Sequence, residues 1–202
     1  DVICLSAGTN SRKYFTNIRG TATNPVIIRN CGGPVYITGA TSSGFGINFS
    51  QSQYFHLTGT GDPGTFYGIE IEGNNQGIDI GGSSSDFEVD HIEVHGTGYA
   101  GFAIKTNPSC NTGTWRENYV MENIKIHDNY VYGTTGEGLY VGNSHYHFPV
   151  EITCNGVTTK VWEHSLRNVE VYNNIVKNAG RDGVQVGGVI AGGKIYNNRI
   201  YG

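Results

Sequence analysis

Apolar residues recur with a period of two along much of this chain, and the same short pattern keeps returning. Five segments begin with a glycine and place apolar residues two apart: GINF (46–49), GIEI (68–71), GFAI (101–104), GLYV (138–141) and GVQV (183–186). A period of two belongs to a strand, because successive side chains point to opposite faces. Ile69 and Ile71, Phe102 and Ile104, Leu139 and Val141, and Val184 and Val186 are expected to point inward. Glu70, Ala103, Tyr140 and Gln185 are expected to point outward.

A second series interleaves with the first: HIEVHGT (91–97), NIKIHDN (123–129), NVEVYNN (168–174) and KIYNN (194–198). Aligned on Val94, Ile126, Val171 and Ile195, it gives an apolar column flanked by Glu93, Lys125, Glu170 and Lys194. Stacked strands lie about 4.8 Å apart, so opposite charges would alternate up the surface. The next outward column reads His95, His127, Tyr172 and Tyr196, an aromatic stack. Asn129, Asn174 and Asn198 then align at the turn, with Thr97 below them. Asparagine bonds nearby backbone and tolerates the left-handed conformation of a sharp turn.

The spacing between copies varies while the strand recurs, as in a stack of coils whose loops absorb insertions. The expected fold is all-β, a right-handed single-stranded parallel β-helix. One solenoid domain is expected over 1–202, with insertions at about 106–122 and 142–167. Gly202 falls just after the start of another coil, RIYG, so the solenoid is expected to be incomplete at its C-terminal end. An uncapped coil would leave an edge and a core exposed.

Composition sharpens this picture. The chain has 31 Gly, 13 Tyr and one Met among 202 residues, which suits turns and strands rather than helices. No run of 18 apolar residues is present, so no membrane span is expected. A net charge of −4 argues against a nucleic-acid partner. The four cysteines sort by position. Cys110 and Cys154 lie in insertions that leave the same corner of consecutive coils, so they are expected to form a disulfide. Cys4 and Cys31 form a second pair that is either bonded or buried as free thiols. An even count of this kind implies an oxidising, extracytoplasmic location.

The opening DVICLSAG…FTNIRGTATNPVIIRNCGGPVYITG, with TTGEGLYVGNS and NAGRDGVQVGG later, resembles secreted right-handed parallel β-helix repeat proteins of polysaccharide-degrading and surface-gliding bacteria. These share the pectate-lyase-like superfold with pectate, alginate and chondroitinase-type lyases. The resemblance implies the fold across nearly the whole chain. It carries no catalytic motif, because the superfold hosts lyases, hydrolases, epimerases, adhesins and tailspikes.

In that superfold substrate lies across an outward strand face walled by loops. Lyase chemistry on a uronate needs a base for the C5 proton, a cation for the carboxylate and an acid for the leaving oxygen. Lys105 and Tyr140 are the catalytic candidates, and Arg116 is the candidate neutraliser. Glu70, Glu72, Glu137, His145 and Asp182 complete the candidate substrate contacts. Glu72 is expected one coil below Lys105, where an ion pair would weaken Lys105 as a base. Glu72 with Glu137 would alternatively serve glycoside hydrolysis. No cofactor is assigned, although Glu70 and Glu72 suit a calcium ion. No metal-ligand set is expected, because C-x-x-C spacing is absent and His145 with His147 lacks a third ligand. Two function classes stay open. One is a secreted or cell-surface carbohydrate-active protein that cleaves or binds an acidic polysaccharide. The other is a non-catalytic, adhesin-type β-helix module that serves other domains or proteins of a surface assembly.

Overall fold

The computed structural model describes residues 1–202 and consists almost entirely of strands, with one short 3-10 turn at Thr112–Thr114. All pairing between strands is parallel, apart from a hairpin of Val150–Cys154 with Val157–Val161 inside the second insertion. The chain visits three ladders in a fixed order. The first holds Gln53–Thr58, Ser85–Asp90, Val120–His127, Ser165–Tyr172 and Val189–Tyr196. The second holds Ile69–Gly73, Ile92–His95, Tyr130–Tyr132, Ile175–Lys177 and Arg199–Tyr201. The third holds Lys13–Thr16, Phe45–Ser50, Gln76–Gly81, Phe102–Ile104, Leu139–Val141 and Val184–Val186. The long strand Val26–Gly39 bends so that its first half joins the first ladder and its second half the second. Val2–Asn10 covers it along its length.

Alternation puts one apolar row of each ladder into a common interior. Ile28, Leu57, Val89, Ile126 and Val171 line it from the first ladder, and Ile37, Ile71, Val94, Val131 and Val176 from the second. Ile47, Ile78, Phe102 and Leu139 line it from the third. Within the interior, Phe49, Phe55 and Phe87 stack at centroid separations of 4.1 and 5.3 Å.

From Phe45–Ser50 onward, the glycine at the start of each third-ladder strand has a steric cause. A Cβ on Gly77 would strike the inward Val94 and the Gly101 carbonyl. On Gly101 it would strike Val131 and the Gly138 carbonyl, and on Gly138 it would strike Val176 and the Gly183 carbonyl. The corner between the second and third ladders is therefore too tight for any side chain.

That column corrects one expectation. GIEI (68–71) does not share a ladder with GFAI, GLYV and GVQV. Ile69 and Ile71 pair with Val35 and Ile37 in the second ladder. The member of the third ladder is GIDI (77–80), paired with Phe49-side residues below and Phe102–Ile104 above. Both segments fit the same pattern, and only their partner strands separate them.

A second correction is parallel to it. Ile126 pairs with Val171, and Val171 with Ile195, but Val94 lies in the second ladder beside Val131. The residue below Ile126 is Val89. The alternating column is thus Glu88, Lys125, Glu170 and Lys194 rather than one based on Glu93. Lys125 Nζ lies 3.6 Å from Glu88, and Lys194 Nζ lies 2.9 Å from Glu170. The aromatic stack likewise runs His127, Tyr172, Tyr196, with centroids 4.5 and 4.9 Å apart. His95 stacks on Tyr132 instead.

The asparagine column forms, with a different local cause from the one expected. The left-handed residues are the preceding ones, Asp128, Asn173 and Asn197. Asn129 and Asn174 point inward and are fully buried. Asn174 Oδ1 accepts from the Asn129 backbone and side-chain N–H groups, each at 3.1 Å. Asn174 Nδ2 donates to the Ile126 carbonyl and to Asn198 Oδ1. Thr97 takes no part, and Asn129 Oδ1 accepts from Ile92 N–H instead.

An inward amide that bonds three rungs is costly to remove, since each orphaned buried polar group costs about 1–3 kcal/mol. Asn174→Ala should therefore lower the unfolding free energy by about 2–4 kcal/mol in urea titrations. Asn198→Ala, at the outer end of the column, should cost less. Equal, small losses in both would show that the column does not hold the corner.

Candidate functional site

Both insertions leave the third ladder at its C-terminal end and return to the first, so they stand together at one corner. The Cys110–Cys154 disulfide joins them, and Cys4–Cys31 forms the second bridge, in the opening strands. Two further pins hold the pair of loops. Arg116 Nε donates to the Glu163 carbonyl at 2.8 Å and Nη2 to the Tyr146 carbonyl. Its guanidinium lies 3.8 Å from the Tyr146 ring centroid and 5.0 Å from that of Trp162. His164 is fully buried and accepts the Thr106 N–H on Nε2 at 3.0 Å. An accepting Nε2 fixes the tautomer, so Nδ1–H donates to the Ser165 carbonyl. Burial holds the His164 imidazole down at about 4, so it stays neutral.

These loops wall one side of the third ladder's outer face. One column of that face reads Asn48, Asp79, Ala103, Tyr140 and Gln185. Ala103 is small, so the Tyr140 ring settles over it and is only 4% exposed. Lys105 emerges where the first insertion departs, and its Nζ lies 4.7 Å from the Tyr140 ring centroid. The Tyr140 hydroxyl is 2.7 Å from Ser144 Oγ, which also accepts from Gln185 Nε2 at 2.8 Å. Ser144 N–H also points to the phenolic oxygen at 3.4 Å, so Gln185 on the next rung reaches Tyr140 only through Ser144.

Two carboxyl groups complete the site, and neither was named among the sequence candidates. Asp79 is half-buried beside Asn48, whose Nδ2 donates to it at 2.6 Å. Burial pushes the Asp79 carboxyl up to about 6, against the pull of Asn48 and the Lys105 charge. Glu163 is buried with Oε2 unpartnered. Burial raises its carboxyl too, opposed by Lys105, His145 and Arg116. Asp79 was hidden because it sits in GIDI, the rung displaced in the sequence alignment by GIEI. Glu163 lies in an insertion that follows no repeat, and no sequence signal marks it.

The remaining candidates scatter. Glu70 and Glu72 lie on the second ladder, where Glu70 meets His95 Nε2 at 3.1 Å and Glu72 sits beside His95 in register. Glu72 therefore makes no ion pair with Lys105, a correction that follows from the rung assignment. Lys105 has no carboxylate within 4 Å, and its acidic neighbours are Asp79 and Glu163. Arg116 is committed to two carbonyls and two rings rather than turned to the open face. Glu137 and Asp182 do share a column, through the Gly138 N–H bond to the Asp182 carbonyl. Glu137 is buried and 3.5 Å from Arg181, while Asp182 is exposed. Beside Glu137, burial pushes the Tyr99 phenol up to about 12, with the Glu137 charge adding to the effect. His145 is exposed on the second insertion.

The fold class defined here is a stack of parallel strands in three ladders with a loop-walled outer face. No protein-family model and no curated protein sequence matches the chain. Among solved structures it is similar to the crystal structure of an alginate lyase from Paenibacillus sp. str. FPU-7. The TM-score is 0.58 at 17% identity, over 98% of this chain and 68% of that one. At that identity the likeness establishes a shared fold.

The His164 pin carries a pH dependence. Its folded value is depressed, so the unfolded chain binds more protons between about 6.5 and 4, and stability falls as pH drops through that window. The full effect is about 3 kcal/mol. The stability lead of the natural chain over His164→Gln in urea unfolding should therefore shrink from pH 7 to pH 4.5. An unchanged lead would mean that burial does not depress the His164 imidazole in the folded protein.

Proposed function

We propose that this protein is a secreted right-handed parallel β-helix that cleaves an acidic polysaccharide by β-elimination at the Lys105–Tyr140 site. Right-handed closure is favoured because parallel returns to one sheet are almost invariably right-handed. Two disulfides favour an oxidising compartment. No helix is long and apolar enough to cross a membrane. The similarity to an alginate lyase favours a uronate polymer as substrate.

The observation that carries the reading is the Lys105 ammonium held 4.7 Å over the Tyr140 ring, beneath two loops tied to one another. A lyase breaks the C5–H and C4–O bonds and forms a C4–C5 double bond, while a proton reaches the leaving oxygen. The Tyr140 oxygen, reacting as phenolate, takes the C5 proton and returns it as phenol to the leaving oxygen, while the Lys105 ammonium supplies the positive charge near the uronate carboxylate. Ser144 and Gln185 orient the Tyr140 hydroxyl through the hydrogen bonds described above. Below about pH 6 Asp79 is protonated, which removes a negative charge that would otherwise repel the polymer.

The second reading, a non-catalytic surface module, draws on the depth of Tyr140, since a ring buried under a lysine stem is also ordinary packing. Kinetics separate the two. Lys105→Ala and Tyr140→Phe should each lower turnover at least about 100-fold, the scale of a lost acid or base. The readout is ultraviolet absorbance of unsaturated products on polyuronates, beside reducing ends on neutral glycans. Melting temperatures should stay near that of the natural chain. Full activity in Lys105→Ala, or no product from any glycan, would favour the module.

Asp79 gives a separate test of the site. Its folded carboxyl is raised, so it ionises as pH rises through about 6. Polyuronate binding should weaken over that interval, and Asp79→Asn should flatten the profile. Identical profiles in the two proteins would place Asp79 outside the substrate path.

A further inference from the structure

We propose that His56, Glu88, Asp90 and His127 form a binding site for one divalent transition-metal ion of the zinc type. The site lies on the first ladder, away from the Lys105–Tyr140 face. Three consecutive rungs supply it. His56 pairs with Glu88 in register, and Asp90 with His127, so two outward columns bring the four side chains together.

The donor atoms are close enough for one ion. His56 Nε2, a Glu88 oxygen and an Asp90 oxygen all lie within 4.8 Å of one another. His127 Nε2 is 2.8 Å from Glu88 Oε1 and 3.9 Å from Asp90 Oδ2. His56 Nε2 also bonds Asp90 Oδ2. Zinc bonds to imidazole nitrogen and carboxylate oxygen are about 2.0–2.2 Å, which separates neighbouring tetrahedral ligand atoms by roughly 3.3 Å. The observed separations bracket that value, so small side-chain rotations suffice.

A second set of contacts already orients these donors. His127 Nδ1 is 2.7 Å from Asp128 Oδ2, which turns Nε2 toward the cluster. A carboxylate on the far nitrogen of a ligating histidine is the usual support in metal sites. Asp90 Oδ1 is held by His91 Nδ1 and by the Thr58 hydroxyl, leaving Oδ2 as the atom turned to His56 and His127. Glu88 Oε2 faces Lys125 at 3.6 Å, leaving Oε1 toward His127.

Charge and access agree with this. Glu88, Asp90 and Asp128 bring three carboxylates together, and Lys125 is the lone fixed cation among the contacts described. Asp90 and His127 form a buried floor, with side chains 4% and 10% exposed. His56 and Glu88 are 25% and 32% exposed and line an open groove with Pro25 and Tyr54. An ion can enter from that groove, which also leaves room for a water or a ligand oxygen. Two imidazoles in the set favour zinc, cobalt or nickel over calcium, which prefers oxygen ligands throughout.

The test uses the full chain, stripped with chelator and titrated calorimetrically with ZnCl2. One ion per chain should bind with a dissociation constant in the micromolar range or below, and the melting temperature should rise. Bound Co2+ should give the strong visible absorption of a low-coordinate nitrogen and oxygen site. His127→Gln and Glu88→Gln should each weaken zinc binding at least about 10-fold, the lower end for loss of a supporting group. Melting curves of the metal-free variants check that they fold. His147→Ala, in the second insertion, should leave binding unchanged. Lys105→Ala should still bind zinc, which keeps this site separate from the lyase reading. Absence of stoichiometric binding, equal affinity in folded His127→Gln, or a preference for Ca2+ over Zn2+ would overturn the assignment.

Discussion

A strand in this protein cannot satisfy its own backbone, and with one exception no strand pairs with its neighbour in sequence. Each N–H and C=O finds its partner a full circuit of the chain away, on the rung before or after. Register between rungs is therefore the constraint on which the rest depends. A slip of one residue would turn every inward isoleucine outward. Three features resist it together: the apolar rows, the inward Asn129–Asn174–Asn198 amides and the glycine corner that admits no Cβ. The charged column of Glu88, Lys125, Glu170 and Lys194 adds little energy, because exposed ion pairs are screened and mobile. Its value is directional, since a shifted rung would bring like charges into contact.

Fixed register lets irregular segments carry chemistry. Both insertions depart where the third ladder ends, so they stack as the rungs beneath them stack. Their own backbone is held by few regular bonds. The disulfide, the Arg116 stack and neutral His164 take over that task. Rigid walls matter because the facing groups come from the ladder, and their separation is set by rung spacing. Lys105 and Tyr140 approach because they sit on adjacent rungs, and Glu163 arrives because the loops are pinned. Residues placed elsewhere on the stack, such as Glu70 and Glu72, cannot reach this face whatever their chemistry.

The same logic accounts for the contrast between the two outer faces. On the first ladder, acidic and imidazole side chains fall into adjoining columns over three rungs, and mutual hydrogen bonds draw them together. At the third-ladder face, the groups are diverse and only partly paired, and Glu163 Oε2 from the second insertion lacks any partner. That contrast is why we propose a cation at the first and a polar polymer at the second.

The sequence by itself determined the strand period, the all-β class, the two insertions and the Cys110–Cys154 pair, while the structure decided that Cys4 and Cys31 are bonded. Those features are local or follow from counting, so alternation and spacing suffice. It also singled out Lys105 and Tyr140, because both sit in well-formed repeats. Tertiary structure decided which repeat belongs to which ladder. GIEI and GIDI are equivalent in pattern, as are the segments around Val89 and Val94. Their opening glycines do not separate them, since a Cβ on Gly68 or on Gly77 would clash alike; the choice of partner strand does. That single choice moved Glu72 away from Lys105, brought Asp79 toward it and placed Glu88 beneath Lys125. Glu163 and the His56–His127 cluster were beyond reach for a related reason. Their parts lie on different circuits of the chain, and no local pattern encodes the distance between circuits. Only the stacked rungs convert a separation of tens of residues into a few ångströms.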